Sequence, residues 1–177
     1  MSAAGTAKSK SQNQSPAQPV VRLLMVCLGN ICRSPTAHGV MDKLIADRGL
    51  QELIEVDSAG TGSYHIGEFP DTRAAAAAQN RGYDLSGQQA RQVTETDFIA
   101  FDHIFAMDNS NLASLRGGCL AEHQQKLKLL LEFSNAGYDE VPDPYWSEQD
   151  GFELVLDLIE DACCALLDFV AADIRGR

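Results

Sequence analysis

Five residues separate Cys27 from Arg33 in the run Cys27-Leu28-Gly29-Asn30-Ile31-Cys32-Arg33-Ser34, which follows an apolar, β-branched segment and is closed by Pro35. That juxtaposition restricts the fold more than any other feature of the chain. Val20-Val21-Arg22-Leu23-Leu24-Met25-Val26 reads as a buried parallel strand, which puts Cys27 at its carboxyl end. Pro35 suits the first turn of a helix, where a missing N–H costs nothing, and Ser34 before it is the expected N-cap. The helix then runs through His38, Met41 and Leu44 to a stop near Gly49. Fully extended, the loop would span roughly 20 Å at ~3.3–3.6 Å per residue, so it must curl to reach the helix. Gly29 and Asn30 enter left-handed backbone regions at least cost, and such a curl aims backbone N–H groups inward. The expected product is an anion nest at a helix N-terminus.

A tetrahedral oxyanion in that nest would meet backbone donors, the helix dipole and the planar fork of Arg33, which matches two phosphate oxygens. A cysteine in the same place is favoured as the nucleophilic thiolate. Thiolate and phosphate cradle together point to nucleophilic phosphoryl transfer. Ser34 can donate its hydroxyl hydrogen to the Cys27 sulfur, while Asn30 is better placed to brace the loop than to react. A lone cysteine is often only a small buried hydrophobe, and Cys-x5-Arg alone arises by chance. The strand before it, the Gly and Asn within it and the Ser-Pro start after it make the combination specific. Cys27 and Cys32 have the wrong spacing for a Cys-x-x-Cys redox or zinc motif, and the histidines lie at no metal-ligand spacing.

Phosphoryl transfer to a thiolate leaves an alkoxide or phenoxide that must be protonated, so an acid is expected on a neighbouring loop. Val141-Pro142-Asp143-Pro144-Tyr145-Trp146 offers Asp143 between two prolines, after an apolar strand Leu127 to Leu131 and the loop Ser134 to Glu140. Tyr145 and Trp146 are placed to wall a crevice that takes an aromatic ring.

These residues are where the chain resembles the low-molecular-weight protein tyrosine phosphatases, of the bacterial kind. The likeness runs from about Val20 to Ile174. It rests on Val26-Cys27-Leu28-Gly29-Asn30-Ile31-Cys32-Arg33-Ser34-Pro35, Asp57-Ser58-Ala59-Gly60-Thr61, Met107-Asp108-Asn109-Ser110-Asn111-Leu112 and Asp143-Pro144-Tyr145. The resemblance implies Cys27 as nucleophile, Arg33 as phosphate and transition-state binder, and Asp143 as general acid and then general base. Leu28, Gly29, Asn30, Ile31, Cys32 and Ser34 complete the phosphate-binding loop, with Asn30, Ser34 and Ser58 as hydrogen-bonding support. Tyr64 falls where the family has a specificity aromatic, opposite Tyr145 and Trp146. The family is also similar in carrying the Cys27–Cys32 pair, which implies that peroxide can link the two as a thiol-reversible disulfide. The chain departs from the family at Arg81, which aligns with a histidine of the loop-bracing network.

Composition fits a single domain. The 177 residues suffice for one core. Residues 1–19, rich in Ser, Ala, Gln and Pro, read as a disordered tail, and 20–177 as the phosphatase domain. Lys8 and Lys10 precede no apolar run of the secretory type, and no run approaches the ~18 apolar residues that cross a bilayer. Five cysteines, an odd number including a reactive one, favour a reducing cytoplasm over a disulfide scaffold. A net charge of −11 argues against nucleic acid or an anionic membrane as partner. It does not oppose a phosphate site, because screening over ~8 Å keeps distant carboxylates from dominating the local field.

Elsewhere strands and helices alternate. Leu53 to Ser58 reads as a second strand, His103 to Met107 as a third and Lys126 to Leu131 as a fourth. Helices are expected over 71–81, closed by Gly82, from Thr94 with Asp97 as a capping box, over 110–116, and over 151–174 with Leu154, Leu158, Ala162, Leu166 and Phe169 on its buried stripe. The expected architecture is one three-layer α/β domain, a four-stranded parallel sheet with helices on both faces and chemistry at the strand carboxyl ends. Cys163 and Cys164 point about 100° apart on a helix and read as ordinary thiols, and His38 as a surface or packing residue.

The expected activity is therefore hydrolysis of phosphotyrosine through a phosphocysteine, with no metal or organic cofactor and a phosphotyrosine protein, such as a tyrosine kinase, as partner. Thiol-linked arsenate reductase is the alternative with the same loop, but it needs two further cysteines on a mobile segment, and residues 74–92 contain none. Protein-arginine phosphatase is the other, where the resemblance suggests a threonine in place of Ile31. A binding-only module has no use for Cys27, Arg33 and Asp143 together.

Overall fold

The computed structural model describes residues 21–176. The expected tail at 1–19 lies outside the described residues.

Strand β1 (Val21–Cys27) sits inside a four-stranded sheet of order β2-β1-β3-β4, with β2 Ile54–Gly60, β3 His103–Ala106 and β4 Leu127–Leu129, all pairs parallel. Both faces of β1 are covered, which is why it reads as an unbroken apolar run. Leu23, Met25 and Cys27 point to one core, shared with helices α1 (Arg33–Asp47), α2 (Thr72–Asn80) and α5 (Gln149–Gly176). Leu24 and Val26 point to the other, under α3 (Glu95–Ala100) and α4 (Asn109–Gly118). Each fully buried leucine is worth about 1.5–3 kcal/mol, so substituting a charge on either face of β1 would break a core. The order places β1 at the sheet centre. The loop leaving it therefore opens between the loops that follow β2 and β3, at the switch point of the parallel sheet.

Most local expectations correspond to what is seen. Asp71 caps α2 by accepting from Arg73 N, and Thr94 with Asp97 forms the capping box of α3. Gly49 and Gly82 take positive φ at the ends of α1 and α2. Others are corrected. α1 begins at Arg33 with Cys32 as N-cap, so Ser34 lies in the first turn and its hydroxyl is engaged elsewhere. The fourth strand keeps only Leu127–Leu129, because 3-10 turns at Ala121–Lys126 and Leu130–Phe133 take the flanking residues. Phe169 is 52% exposed rather than on the buried stripe of α5, packed at its edge against Phe133. Among the described residues no helix is long and apolar enough to cross a membrane.

Candidate active site

Cys27 ends β1, and the next five residues wrap around a point above α1. The carbonyls of Cys27, Leu28, Ile31 and Cys32 are tied outward. Thr61 N donates to Cys27 O and Gly62 N to Leu28 O, both at 2.9 Å, while Asp71 N donates to Ile31 O at 2.8 Å. Cys32 O accepts from Thr36 N at 3.2 Å and Thr36 Oγ1 at 2.7 Å. With the carbonyls held outside, the amides of the loop are left to the interior, as an anion nest requires. Asn30 makes the turn with φ of 56°, a left-handed conformation that asparagine tolerates. Gly60 must be glycine, because a Cβ there would lie 2.7 Å from Leu28 O and 3.2 Å from Asn30 N.

Cys27 Sγ lies 3.1 Å from Ser34 Oγ and accepts from Asn30 N at 3.3 Å. Asn30 Nδ2 donates to Ser34 Oγ at 2.8 Å and Ser58 Oγ at 3.0 Å, and its Oδ1 accepts from Arg91 N at 2.9 Å. Ser58 in turn donates to Gln88 Oε1 at 3.3 Å and lies 3.4 Å from His38 Nδ1. His38 is therefore part of the loop-bracing network and not a mere surface or packing residue. Burial holds its pKa below the ordinary histidine value, although Asp57 and Asp42 pull the other way. Arg81 is absent from this network. Its guanidinium reaches the opposite way, to Glu153, Asp157 and Glu160 on α5, because α2 ends beside that helix.

Arg33 is 3% exposed at its side chain, with Nη1 donating to Asp108 Oδ2 at 2.6 Å and to Val141 O at 3.1 Å. Burial opposes its charge, yet Cys27, Asp108 and Asp143 together raise its pKa above the usual arginine value. Asp143 Oδ2 stands 3.5 Å from Arg33 Nη2, its side chain 47% exposed, and its Oδ1 accepts from Tyr145 N at 3.1 Å. Cys32 sits under the loop, where burial, reinforced by Asp71 and Cys27, pushes its thiol up to about 12.

A cavity of about 380 Å³ opens onto these groups. Cys27, Gly29 and Arg33 form its floor, Leu28, Ile31 and Cys32 its near wall, and Tyr64, His65, Asp143, Tyr145 and Trp146 the rest. Tyr145 and Trp146 meet edge to face with centroids 4.8 Å apart. Trp146 is 91% exposed, a ring with a free face at the mouth. Of the residues expected on the phosphate loop, Leu28, Gly29, Ile31 and Cys32 line this pocket with Cys27, Arg33, Asp143, Tyr64, Tyr145 and Trp146, whereas Asn30 and Ser34 lie behind it against the Cys27 sulfur and Ser58 lies behind Asn30. Asp108, His38, Gln88, Arg91 and His65 were not foreseen. Asp108 left a signal as an aspartate at a strand end before a helix, and its Oδ1 does cap α4 by accepting from Asn111 N. The other four carry no local pattern. Among the described residues no cluster of His, Cys, Asp and Glu could hold a metal ion. A nucleophile, a bidentate cation and a carboxyl group facing one phosphate-sized nest can carry out in-line phosphoryl transfer to sulfur.

The family model described as low molecular weight phosphotyrosine protein phosphatase matches residues 22–175. The protein slr0328 of Synechocystis sp. is 46% identical over 149 residues, covering 83% of this chain and 94% of that one. A low molecular weight protein-tyrosine-phosphatase of Streptomyces coelicolor is 41% identical over 160 residues, covering 88% and 97%. Among solved structures, a protein tyrosine phosphatase from Entamoeba histolytica, with Hepes in its active site, superposes with a TM-score of 0.84 at 43% identity, covering 86% of this chain and 98% of that one.

Proposed function

The chain belongs to the low molecular weight phosphotyrosine protein phosphatase family and is a cysteine-dependent protein tyrosine phosphatase, and we propose that Cys27, Arg33 and Asp143 carry out its reaction. The observation that supports these roles is their convergence. The Cys27 sulfur lies among the loop amides, the Arg33 fork closes one side, and the Asp143 carboxyl stands 3.5 Å from that fork on the side open to solvent.

In the first step the Cys27 thiolate attacks phosphorus in line, forming a sulfur–phosphorus bond as the bond to the phenol oxygen breaks. Arg33 and the loop amides hold the three equatorial oxygens, and Asp143 gives its proton to the departing phenoxide. In the second step Asp143, now ionised, takes a proton from water. The resulting hydroxide attacks phosphorus and releases phosphate and the Cys27 thiolate. Ser34, 3.1 Å from the sulfur, donates to it as attacker and again as leaving group. Asn30, Ser58 and His38 keep Ser34 and the loop in register.

The aromatic substrate ring sits between Tyr64 on one side and Tyr145 with Trp146 on the other, and Ile31 in the near wall favours an aryl phosphate over a phosphoguanidine. Phosphotyrosine proteins are the substrates, and a tyrosine kinase is the partner we propose, acting in a cytoplasm that keeps the cysteines reduced. Replacing Cys27 with serine tests the assignment. Cys27→Ser loses all detectable turnover of a phosphotyrosine peptide while still binding inorganic phosphate, because the cradle remains. Substantial hydrolysis by that variant would overturn the nucleophile.

A further inference from the structure

The acid loop has little structure of its own. From Val141 to Glu148 it forms neither helix nor strand, and it is anchored at its start where Val141 N donates to Met107 O at 2.8 Å. Asp143 nevertheless has to stand at a set height above Cys27. A second tie fixes the far side of the loop. Arg73 Nη2 donates to Tyr145 O at 3.0 Å, and the guanidinium carbon lies 5.6 Å from the Tyr145 ring centroid and 4.9 Å from that of Phe152 on α5.

Arg73 is itself held. Asp71 takes its Nε at 3.1 Å and its Nη2 at 2.9 Å, and also its backbone N at 2.8 Å as the cap of α2. Asp71 N donates to Ile31 O, a carbonyl of the phosphate loop, at 2.8 Å. A continuous series of hydrogen bonds therefore runs from Ile31 through Asp71 and Arg73 to Tyr145, whose own N–H meets Asp143 Oδ1. The phosphate loop and the acid loop, more than 100 residues apart in sequence, are joined by two side chains that line neither the nest nor the pocket. Arg73 also walls a second cavity of about 260 Å³ behind the acid loop, with Ser147 and Phe152. Without the Arg73 side chain the loop would have room to fall back, away from Cys27.

We propose that Arg73 is a positioning residue for the reaction: through its two-pronged hold on Asp71 and Tyr145 it sets where the Asp143 carboxyl stands relative to the leaving oxygen. The inference rests on Asp143 being the general acid. A planar fork is needed because Asp71 and Tyr145 O are engaged at once, which an ammonium on a flexible stem does poorly.

The test compares kcat/KM, which reports the step that breaks the phosphate ester, on a phosphotyrosine peptide and on dinitrophenyl phosphate, whose leaving group needs no proton. In Arg73→Ala the value for phosphotyrosine should fall at least about tenfold and by no more than the roughly 10²–10⁴ that general acid catalysis supplies, while that for dinitrophenyl phosphate stays within about twofold. Arg73→Lys should recover only part of the difference. In an Asp143→Asn background, Arg73→Ala should add no further discrimination between the substrates, since the two act as one unit. Equal losses on both substrates would assign Arg73 to general stability. A KM increase shared by both substrates and restored by Lys would assign it to attraction of the anion. Either result overturns the proposal. Asp143→Asn run alone separates the two failures: if it does not discriminate between the substrates, the acid assignment itself is at fault.

Discussion

Arg33 is held from behind by Asp108, whose Oδ2 accepts from Nη1 at 2.6 Å while its Oδ1 caps α4. One carboxylate thus aims the fork that we propose binds phosphate and fixes the start of a helix on the opposite face of the sheet. Nη1 is spent on Asp108 and Val141 O, and the rest of the guanidinium is turned toward the nest and Asp143. Asp108→Ala removes both functions. Leaving a charge buried without its partner costs about 3 kcal/mol, and losing the cap about 1 kcal/mol more. The expected result is a marked fall in urea midpoint and a loss of kcat/KM on the order of a hundredfold. Asp108→Asn should keep much of the cap but little of the activity. Unchanged kcat/KM in both variants would show that Arg33 needs no support from behind.

Arg33→Lys tests the fork itself. A lysine carries the charge, but it cannot hold two phosphate oxygens in a plane while also meeting Asp108. Turnover should fall by at least about a hundredfold, with inhibition by inorganic phosphate weakened in parallel. Near-normal kinetics would reduce the cradle to a simple positive charge.

The bracing network separates cleanly from the Arg81 cluster. Arg81→Ala should lower stability by about 1 kcal/mol, as for a partly exposed network of charges, and leave kcat/KM for phosphotyrosine unchanged. His38→Ala should do the reverse and slow turnover, because Ser58 then loses a neighbour 3.4 Å away. An activity loss in Arg81→Ala larger than that in His38→Ala would contradict the placement of both.

His38 also gives stability a pH dependence. Its folded pKa is depressed by burial, so between the unfolded value near ~6.5 and the lower folded value the unfolded chain binds a proton that the folded chain does not. Its contribution is therefore complete above about 6.5 and is lost as pH falls through the folded pKa. Urea unfolding compared at about pH 7 and about pH 5.5 should show a smaller fall in His38→Gln than in the parent chain. Identical slopes would mean that His38 ionises as freely when folded as when unfolded.

Cys32, with its thiol pushed up to about 12, should resist alkylation at neutral pH. Oxidation of Cys27 by peroxide to a sulfenic acid, with loss of water as Cys32 captures it, would give a disulfide that dithiothreitol reverses. The Cys32→Ser variant should then recover less activity after peroxide than the parent chain, having no residue to intercept overoxidation. Equal recovery and no linked Cys27–Cys32 peptide in the mass spectrum would rule the pair out.

What the sequence made legible was whatever is contiguous. The loop from Cys27 to Ser34 announces itself because strand, turn residues and helix start are adjacent, and Thr94 with Asp97 announces a cap for the same reason. Asp143 was findable because its two prolines stiffen it locally. His38 and Arg91 were not, since their roles depend on partners 20 and 61 residues away that no periodicity encodes. Arg81 misled because it closes α2 beside α5, whereas Gln88, seven residues on, is the residue that reaches Ser58 in the bracing network. Phe169 lies three residues after Leu166, but the buried stripe of α5 continues through Leu167, Val170 and Ala171, so its ring stands at the edge of the stripe, half in solvent against Phe133. Strand β4 shrank because its apolar run was shared with a 3-10 turn, and periodicity does not divide the two.

The central claim is that phosphate passes through Cys27. Dinitrophenyl phosphate, whose leaving group needs no proton, mixed with the Asp143→Ala variant and acid-quenched within the first turnover should leave a phosphorylated enzyme, because the first step does not need the acid and hydrolysis of the intermediate lacks its base. Peptide mapping by mass spectrometry should then find the phosphoryl group on the sulfur of Cys27 and nowhere else. Phosphate released with no labelled enzyme, or label on any other residue, would contradict the account.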